Sequence, residues 1–149
     1  MTQHRSVTFL ILVSVCIALV AADDANKQDL ATLQGEWSMV SGERGGMPMP
    51  EEFIKTGKRV CKDNEVSVNV GGMLIMKATF TLDAGKNPKT IDYVITDGPN
   101  KGKTQLGIYE LSGQILKSCF ATPGEDRPTA FETKPGDGRT LSVWKKAAS

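Results

Sequence analysis

The stretch from Ile91 to Phe131 constrains the fold most, because it holds three β-type runs separated by turn residues. The first run alternates with a period of two from Ile91 to Ile95. Pro99 ends that run, since proline has no N–H to give to a strand ladder. Ser112-Gly113 then forms a tight turn between the second run and the third. Tight turns between alternating runs indicate antiparallel neighbours, so this stretch predicts an antiparallel sheet. It does not indicate which reaction, if any, the protein catalyses.

Short runs of the same kind fill most of the remaining chain. The predicted strands are Gly35–Glu43, Lys58–Lys62, Glu65–Val70, Leu74–Leu82, Ile91–Thr96, Thr104–Leu111, Gln114–Phe120, Thr129–Thr133 and Thr140–Lys145. One short helix is predicted over Glu51–Thr56, because Pro50 suits its first turn and Gly57 suits its end. Strands without interleaved helices predict a sandwich or a barrel.

The first 22 residues have the three-part pattern of a secretory signal peptide. His4 and Arg5 give a charged start, an apolar run follows, and Ala21-Ala22 offers small residues for cleavage. The alternative is a membrane anchor, but the apolar run of about 14 residues is shorter than the roughly 20 that span a bilayer. The less favoured lipoprotein signal would need a small residue before Cys16. We therefore expect an exported protein, periplasmic or extracellular, without a membrane span after cleavage.

The expected mature chain has three notable properties. Residues 23–32 are predicted to form an N-terminal arm, polar and loose over 23–29 with a short helical turn over 29–33, and residues 33–146 form one domain. Arg5 is the only counted charge in the signal segment, so the expected mature chain has 17 acidic residues and 17 basic ones. A balanced charge argues against nucleic acid as a partner, because such binding needs a basic surplus.

The chemistry available to the mature chain is limited by its lack of histidine, because His4 is the only one and leaves with the signal. This excludes a Ser–His–Asp set and a His-ligated zinc site. Gly98–Thr104 has the wrong spacing for a phosphate-binding loop and opens a strand rather than a helix. We therefore expect no cofactor, no metal and no enzymatic activity, although paired carboxylates stay formally possible.

Two resemblances support the barrel. Gly35-Glu36-Trp37 resembles the Gly-x-Trp opening of lipocalins, in which the tryptophan plugs the closed end of an up-and-down barrel. Leu33–Glu43, Pro50–Glu52, Ile91–Leu111 and Ala121–Gly138 resemble an uncharacterised family of small exported domains, abundant in planctomycete bacteria and described as lipocalin-like. The resemblance covers about residues 30–146. It implies export and an all-β fold, a single antiparallel eight-stranded lipocalin-like barrel with one short helix. It assigns no particular activity, ligand or catalytic residue to this chain.

A barrel of eight strands leaves room for packed side chains or for one small ligand. The candidates for its interior are Trp37, Met39, Arg59, Met76, Phe80, Tyr93, Ile108 and Glu110. If Leu106 and Ile108 face inward, Glu110 faces inward with them near the rim, where it can bind a cationic ligand, pair with Arg59 or simply lie in water. Glu110 is also the most plausible base if the protein were an enzyme.

The two cysteines of the mature chain, Cys61 and Cys119, leave two readings open. An oxidising compartment favours a disulfide between them. Cysteine is also a common small core residue, and the geometry of the two strands decides.

The function expected from these observations is an exported, non-enzymatic binding module with a small apolar or amphipathic ligand inside the barrel. The alternative is a structural or interaction domain with a side-chain-filled barrel that contacts an envelope protein. A cavity of a few hundred Å³ would favour the ligand, and a filled barrel would favour the alternative.

Overall fold

Nine strands and two helices make up residues 21–148, the part of the chain that the computed structural model describes. In chain order they are α1 (residues 21–33), β1 (Gly35–Arg44), β2 (Met47–Pro48), α2 (Glu51–Thr56), β3 (Lys58–Lys62), β4 (Glu65–Val70), β5 (Met73–Asp83), β6 (Lys89–Asp97), β7 (Thr104–Ser112), β8 (Ile115–Phe120) and β9 (Thr140–Lys146).

The wall of the molecule is a closed barrel of eight antiparallel strands. From β3 to β9 each strand pairs with the next one along the chain, and β1 closes the ring by pairing with β3 on one side and β9 on the other. The two residues of β2 only extend one end of β1. The predicted eight-stranded antiparallel barrel is therefore confirmed.

The helix α2 and the strands β3 and β4 begin and end where the sequence predicts. The predicted strand Thr129–Thr133 was wrong, because these residues form bends and coil. Every wall strand already has two neighbours, so this segment has no ladder to join. It lies instead against the outside of the wall, where Thr133 Oγ1 accepts from the Gly46 N–H at 2.8 Å and donates to the Glu43 carboxylate.

The loose arm expected over residues 23–29 was also wrong, since residues 21–33 form the helix α1, whereas the helical turn expected over residues 29–33 is part of this helix. Its inner face combines the apolar Leu30 and Leu33 with two polar anchors. Asn26 Oδ1 accepts from the Ala84 N–H at 2.7 Å, and Asp29 Oδ2 accepts from the Tyr109 hydroxyl at 2.7 Å. Hydrophobic periodicity detects apolar contacts but not the polar contacts that help to hold this helix. The sequence of the segment therefore has the pattern of a solvated arm.

The core fills the half of the barrel beneath α1, which we call the closed half. Trp37 is fully buried, and its indole N–H donates to the Leu33 carbonyl at 2.9 Å. Val66 of β4, Ile91 of β6 and Leu116 of β8 belong to the same cluster of buried core residues. Trp37 is thus the buried anchor that the sequence predicted.

The predicted signal peptide, residues 1–22, lies outside the described residues apart from Ala21 and Ala22, which belong to α1. Across residues 21–148, no helix combines the length and the apolar composition needed to cross a membrane.

Candidate functional site

The other half of the barrel, which we call the open half, contains a cavity of about 230 Å³. Its walls come from the strand ends that lie away from α1, and α2 stands beside its mouth. This volume lies just below the roughly 300–1,000 Å³ that is typical of small-molecule sites. The open half of the barrel therefore holds a cavity, whereas the closed half holds the fully buried Leu33, Trp37 and Val66.

The apolar part of the cavity depends on an irregularity in β1. The pairing of β1 with β9 shifts between Met39 and Ser41, which turns both Met39 and Gly42 toward the interior. Gly42 leaves room there for Met49, whose Sδ would lie 2.6 Å from a Cβ at position 42. Phe53 of α2 also reaches the cavity, so the short helix supplies part of its apolar lining.

Arg59 is the unusual residue of the cavity wall. It projects inward from β3, in register with Trp37 and Val68, and is only 2% exposed. Its Nη2 donates to the Tyr93 hydroxyl oxygen at 3.3 Å, but Nη1 is buried without a hydrogen-bond partner among the described residues. No described carboxylate forms an ion pair with it. A buried arginine without a counter-charge is costly, because its guanidinium stays charged in proteins.

Tyr93 is fixed by two aromatic neighbours. Its ring centroid lies 4.4 Å from that of Phe120 and 6.4 Å from that of Phe80. Phe120 in turn occupies space left by Gly107, where a Cβ would lie 2.5 Å from Cδ1 of the ring. This packing holds the Tyr93 hydroxyl beside Arg59. Because that oxygen accepts from Arg59, its own hydrogen can be donated elsewhere.

A second polar patch lies on β8 and β9. The hydroxyl oxygens of Ser118 and Ser142 lie 3.1 Å apart, and the Trp144 indole N–H donates to Ser142 Oγ at 2.9 Å. Both serines are buried and line the cavity. Two exposed charged residues, Arg44 and Asp97, also line the cavity, together with four further polar residues: Asn100, Gln105, Thr122 and Thr140. The cavity thus combines apolar and polar side chains, and among the polar ones Arg59, Tyr93, Ser118 and Ser142 are buried.

The structure divides the eight predicted interior residues into three groups. Met39, Arg59, Met76 and Tyr93 line the cavity. Trp37 and Phe80 are buried among the core residues. Ile108 and Glu110 lie outside the barrel, so their predicted inward direction was wrong, and the pairing with Arg59 that was one alternative for Glu110 does not occur.

The error at Ile108 and Glu110 arose from the choice of phase on β7. Tyr109 is the residue that faces the core, and Ile108 and Glu110 alternate with it. Ile108 is nevertheless 1% exposed, because the loop between β8 and β9 crosses the outer face of the wall. Arg127 of this loop donates to the Gly107 carbonyl at 2.8 Å, and Pro128 is fully buried. With apolar residues on both faces, alternation alone does not identify the inner one.

The two cysteines are not joined. Both are free and buried. Cys61 faces the core, whereas Cys119 pairs in register with Ile108 on the outer face and approaches the Glu132 carbonyl at 3.6 Å. The possible disulfide was therefore wrong within this chain, because the barrel wall separates the two thiols. Burial raises the pKa of both thiols above the usual value.

At the far end of the interior, polar contacts close the barrel under α1. Tyr109 donates to Asp29, and Lys89 Nζ lies 2.9 Å from the same carboxylate oxygen. Burial and the contact with Asp29 raise the pKa of Tyr109 well above its usual range. The Tyr109 hydroxyl, Asp29 and Lys89 together form a structural clamp between α1 and the barrel.

Several residues that line the cavity were not predicted from the sequence. Phe53 and Met49 were missed because they reach the cavity from a helix and a loop, outside strand alternation. Trp144 and Ser142 could have been found, since they alternate along β9 in the manner of a half-buried strand.

Comparison with known proteins gives no further assignment. No match to the chain was found among protein-family models, curated proteins or solved structures. The resemblance to the exported planctomycete family stays a prediction. Within residues 21–148, no group of three or more His, Cys, Asp and Glu residues is arranged to hold a metal ion.

Proposed function

We propose that this protein is a non-enzymatic binding module that holds one small amphipathic molecule in the open half of its barrel. The observation that carries the proposal is the cavity of about 230 Å³, which has an apolar wall and fixed polar groups. Specific small-molecule sites have this composition, in which apolar surface supplies affinity and a few polar groups fix the orientation.

The size of the cavity limits the ligand. A water molecule occupies about 30 Å³ of liquid, so the cavity has the volume of roughly eight waters and accommodates a body of about eight to ten non-hydrogen atoms. A longer molecule would extend past α2 into solvent. Hence we propose a compact ligand, or the end of a longer one, rather than a large cofactor.

The charged start, apolar run and small residues of residues 1–22 support an exported location, periplasmic or extracellular, for this binding module. Mass spectrometry of protein from its native host would test the export. We expect an N-terminus at Asp23, and an intact N-terminus at Met1 would contradict it.

The binding proposal is tested by titrating the purified protein with 1-octanol and with octanoate in a calorimeter. We expect saturable binding of at least one of them with one site per chain. Val68→Phe would fill the cavity and should abolish the binding. Ser67→Phe places the same ring on the outer face of β4 and is the matched control. If neither compound binds saturably, or if Val68→Phe binds as well as the parent, the proposal fails.

A second candidate function is favoured by the exposed apolar side chains near the mouth. Met47 and Met73 are 70% and 73% exposed, and Leu74 is 45% exposed. They lie on β2 and at the start of β5, at the same end of the barrel as the cavity. Exposed apolar groups of this kind fit contact with an envelope protein. In that case Met73→Ser should abolish capture of the partner without changing the binding of octanoate.

A further inference from the structure

We infer that the ligand of the cavity is a monocarboxylate, whose carboxylate group is bound by Arg59 and Tyr93 while its apolar body lies against the methionines and Phe53. The inference rests on the proposed binding function and names the chemical class of the ligand. It begins from Arg59, because the residue lines the cavity, is 2% exposed and has a buried Nη1 without a partner.

The charge of the cavity favours an anion. Arg59 is its buried charge, and the two rim charges, Arg44 and Asp97, have opposite signs. A ligand with one negative charge would therefore neutralise the interior, whereas a neutral ligand would leave the guanidinium uncompensated. A cationic ligand would add a second positive charge to the same site.

The number of donors favours a carboxylate over a phosphate. Arg59 offers Nη1, and the Tyr93 hydroxyl, which accepts from Nη2 at 3.3 Å, still has its own hydrogen to give. Two adjacent donors match the two oxygens of a planar carboxylate. A phosphate monoester has three acceptor oxygens and a charge of about −1.5 to −2, which exceeds what one arginine compensates.

The rest of the cavity fits the remainder of such a molecule. Arg59 and Tyr93 lie on β3 and β6, and the apolar lining includes Met39, Met76 and Phe53. An unbranched acid of eight carbons has about the number of non-hydrogen atoms that the cavity accommodates. Octanoate is therefore the probe of choice, and 1-octanol is its neutral counterpart.

The experiment compares octanoate, 1-octanol and octyl phosphate by calorimetric titration of the purified protein near neutral pH. We expect octanoate to bind about 10- to 100-fold more tightly than 1-octanol, because a hydrogen bond to a charged group has this effect on affinity. If 1-octanol binds as tightly as octanoate, the carboxylate inference is wrong while the binding function stands. If octyl phosphate binds more tightly than octanoate, the ligand class is a phosphate and the inference is likewise wrong.

Variants then assign the effect to Arg59. Arg59→Met should lose the preference for octanoate and keep the affinity for 1-octanol, and Arg59→Lys should retain part of the preference, because it keeps the charge but not the planar fork. Lys62→Met removes a positive charge from the outer face of the same strand and should bind octanoate like the parent. An octanoate preference that persists in Arg59→Met would overturn the inference.

A stability measurement separates this function from a structural role of Arg59. Removal of a buried charge without a counter-charge should leave the urea midpoint unchanged or raise it. A lower midpoint together with an unchanged octanoate preference would show that Arg59 only supports the fold.

Discussion

The closed half and the open half of this barrel are built from the same eight strands but differ in what fills them. Beneath α1, Trp37, Val66 and Leu33 are fully buried. In the open half, the strands enclose a cavity and a charged residue, Arg59, without a counter-charge. Stability is therefore concentrated at one end, which allows the other end to keep polar groups that packing alone would not favour.

The two helices also differ in how firmly they are attached to the barrel, and the firmly attached one lies at the closed half. α1 is held by hydrogen bonds that Asn26 and Asp29 accept from Ala84 and Tyr109 of the barrel, and it buries Leu33. α2 has six residues, none of them buried, and its N-cap Pro50 makes no side-chain hydrogen bond. A helix with so few anchors opens at lower free energy than one docked by a buried face. α1 thus acts as a fixed plug, and α2 stands beside the mouth as the more easily displaced element.

The largest expected difference between the halves is the response to losing a large side chain. Trp37→Ala should lower the free energy of unfolding by about 3–5 kcal/mol, because it leaves a sealed void beneath α1. Phe53→Ala should cost less than about 2 kcal/mol, because Phe53 is half-buried and its loss enlarges a cavity that is already open. Urea titration followed by circular dichroism measures both. Equal losses would mean that the two halves are packed alike.

A smaller difference is expected between hydrogen bonds of the two halves. Tyr109→Phe removes the 2.7 Å bond to the Asp29 carboxylate and should cost about 1.5–3 kcal/mol. Ser118→Ala removes a neutral bond of 3.1 Å and should cost about 1 kcal/mol, since Ser142 still accepts from Trp144. The same urea titrations apply, and the comparison breaks if Ser118→Ala is the more damaging change.

The pH dependence of the Tyr109→Phe effect sharpens this prediction. The pKa of Tyr109 is raised in the folded state, whereas an unfolded tyrosine ionises near pH 10. Its contribution is therefore fully present below about pH 10 and is lost as the pH rises further, by about 1.4 kcal/mol per pH unit. The gap between parent and Tyr109→Phe should be constant up to about pH 9 and narrow above pH 10. A gap that widens with pH would contradict the buried clamp.

The smallest effect concerns the thiols, one on each side of the wall. Cys61 lies in the core and Cys119 under the outer loop, and both are free and buried. We expect iodoacetamide to label neither in the native protein and both after unfolding without reductant, as read by peptide mapping. Cys119 should be labelled first in low urea, because a loop covers it rather than the core. Failure to label the unfolded, unreduced protein would indicate a disulfide.

Much of the fold could be predicted from the sequence because turns and alternation are local signals. The bounds of β3, β4 and α2 follow from Asp63-Asn64, Pro50 and Gly57, each of which acts within a few residues. Trp37 could be placed in the core because its phase on β1 agrees with that of Leu33 and Met39.

The wrong predictions for the barrel interior concern positions that are covered by segments distant in sequence. The loop carrying Pro128 buries Ile108 from outside, so the apolar phase of β7 pointed the wrong way. The cavity itself depends on the shift in β1 between Met39 and Ser41 and on the approach of Phe53 from α2. Neither is visible in local periodicity. The sequence predicts that Arg59 lies inside the barrel. Its lack of an acidic partner could not be predicted, because it depends on Glu110 facing outward.

The closure of the ring by β1 and β9 also sets the order in which the chain can fold. Met39 pairs with Trp144, so β1 cannot complete its pairing until β9 has formed. Contacts between residues this far apart in sequence form slowly, because the long intervening loop must first lose its freedom. Until Thr140–Lys146 is in place, β1 and β8 present open edges that can recruit a strand from another molecule. The final strand therefore protects the whole wall from aggregation as well as completing it.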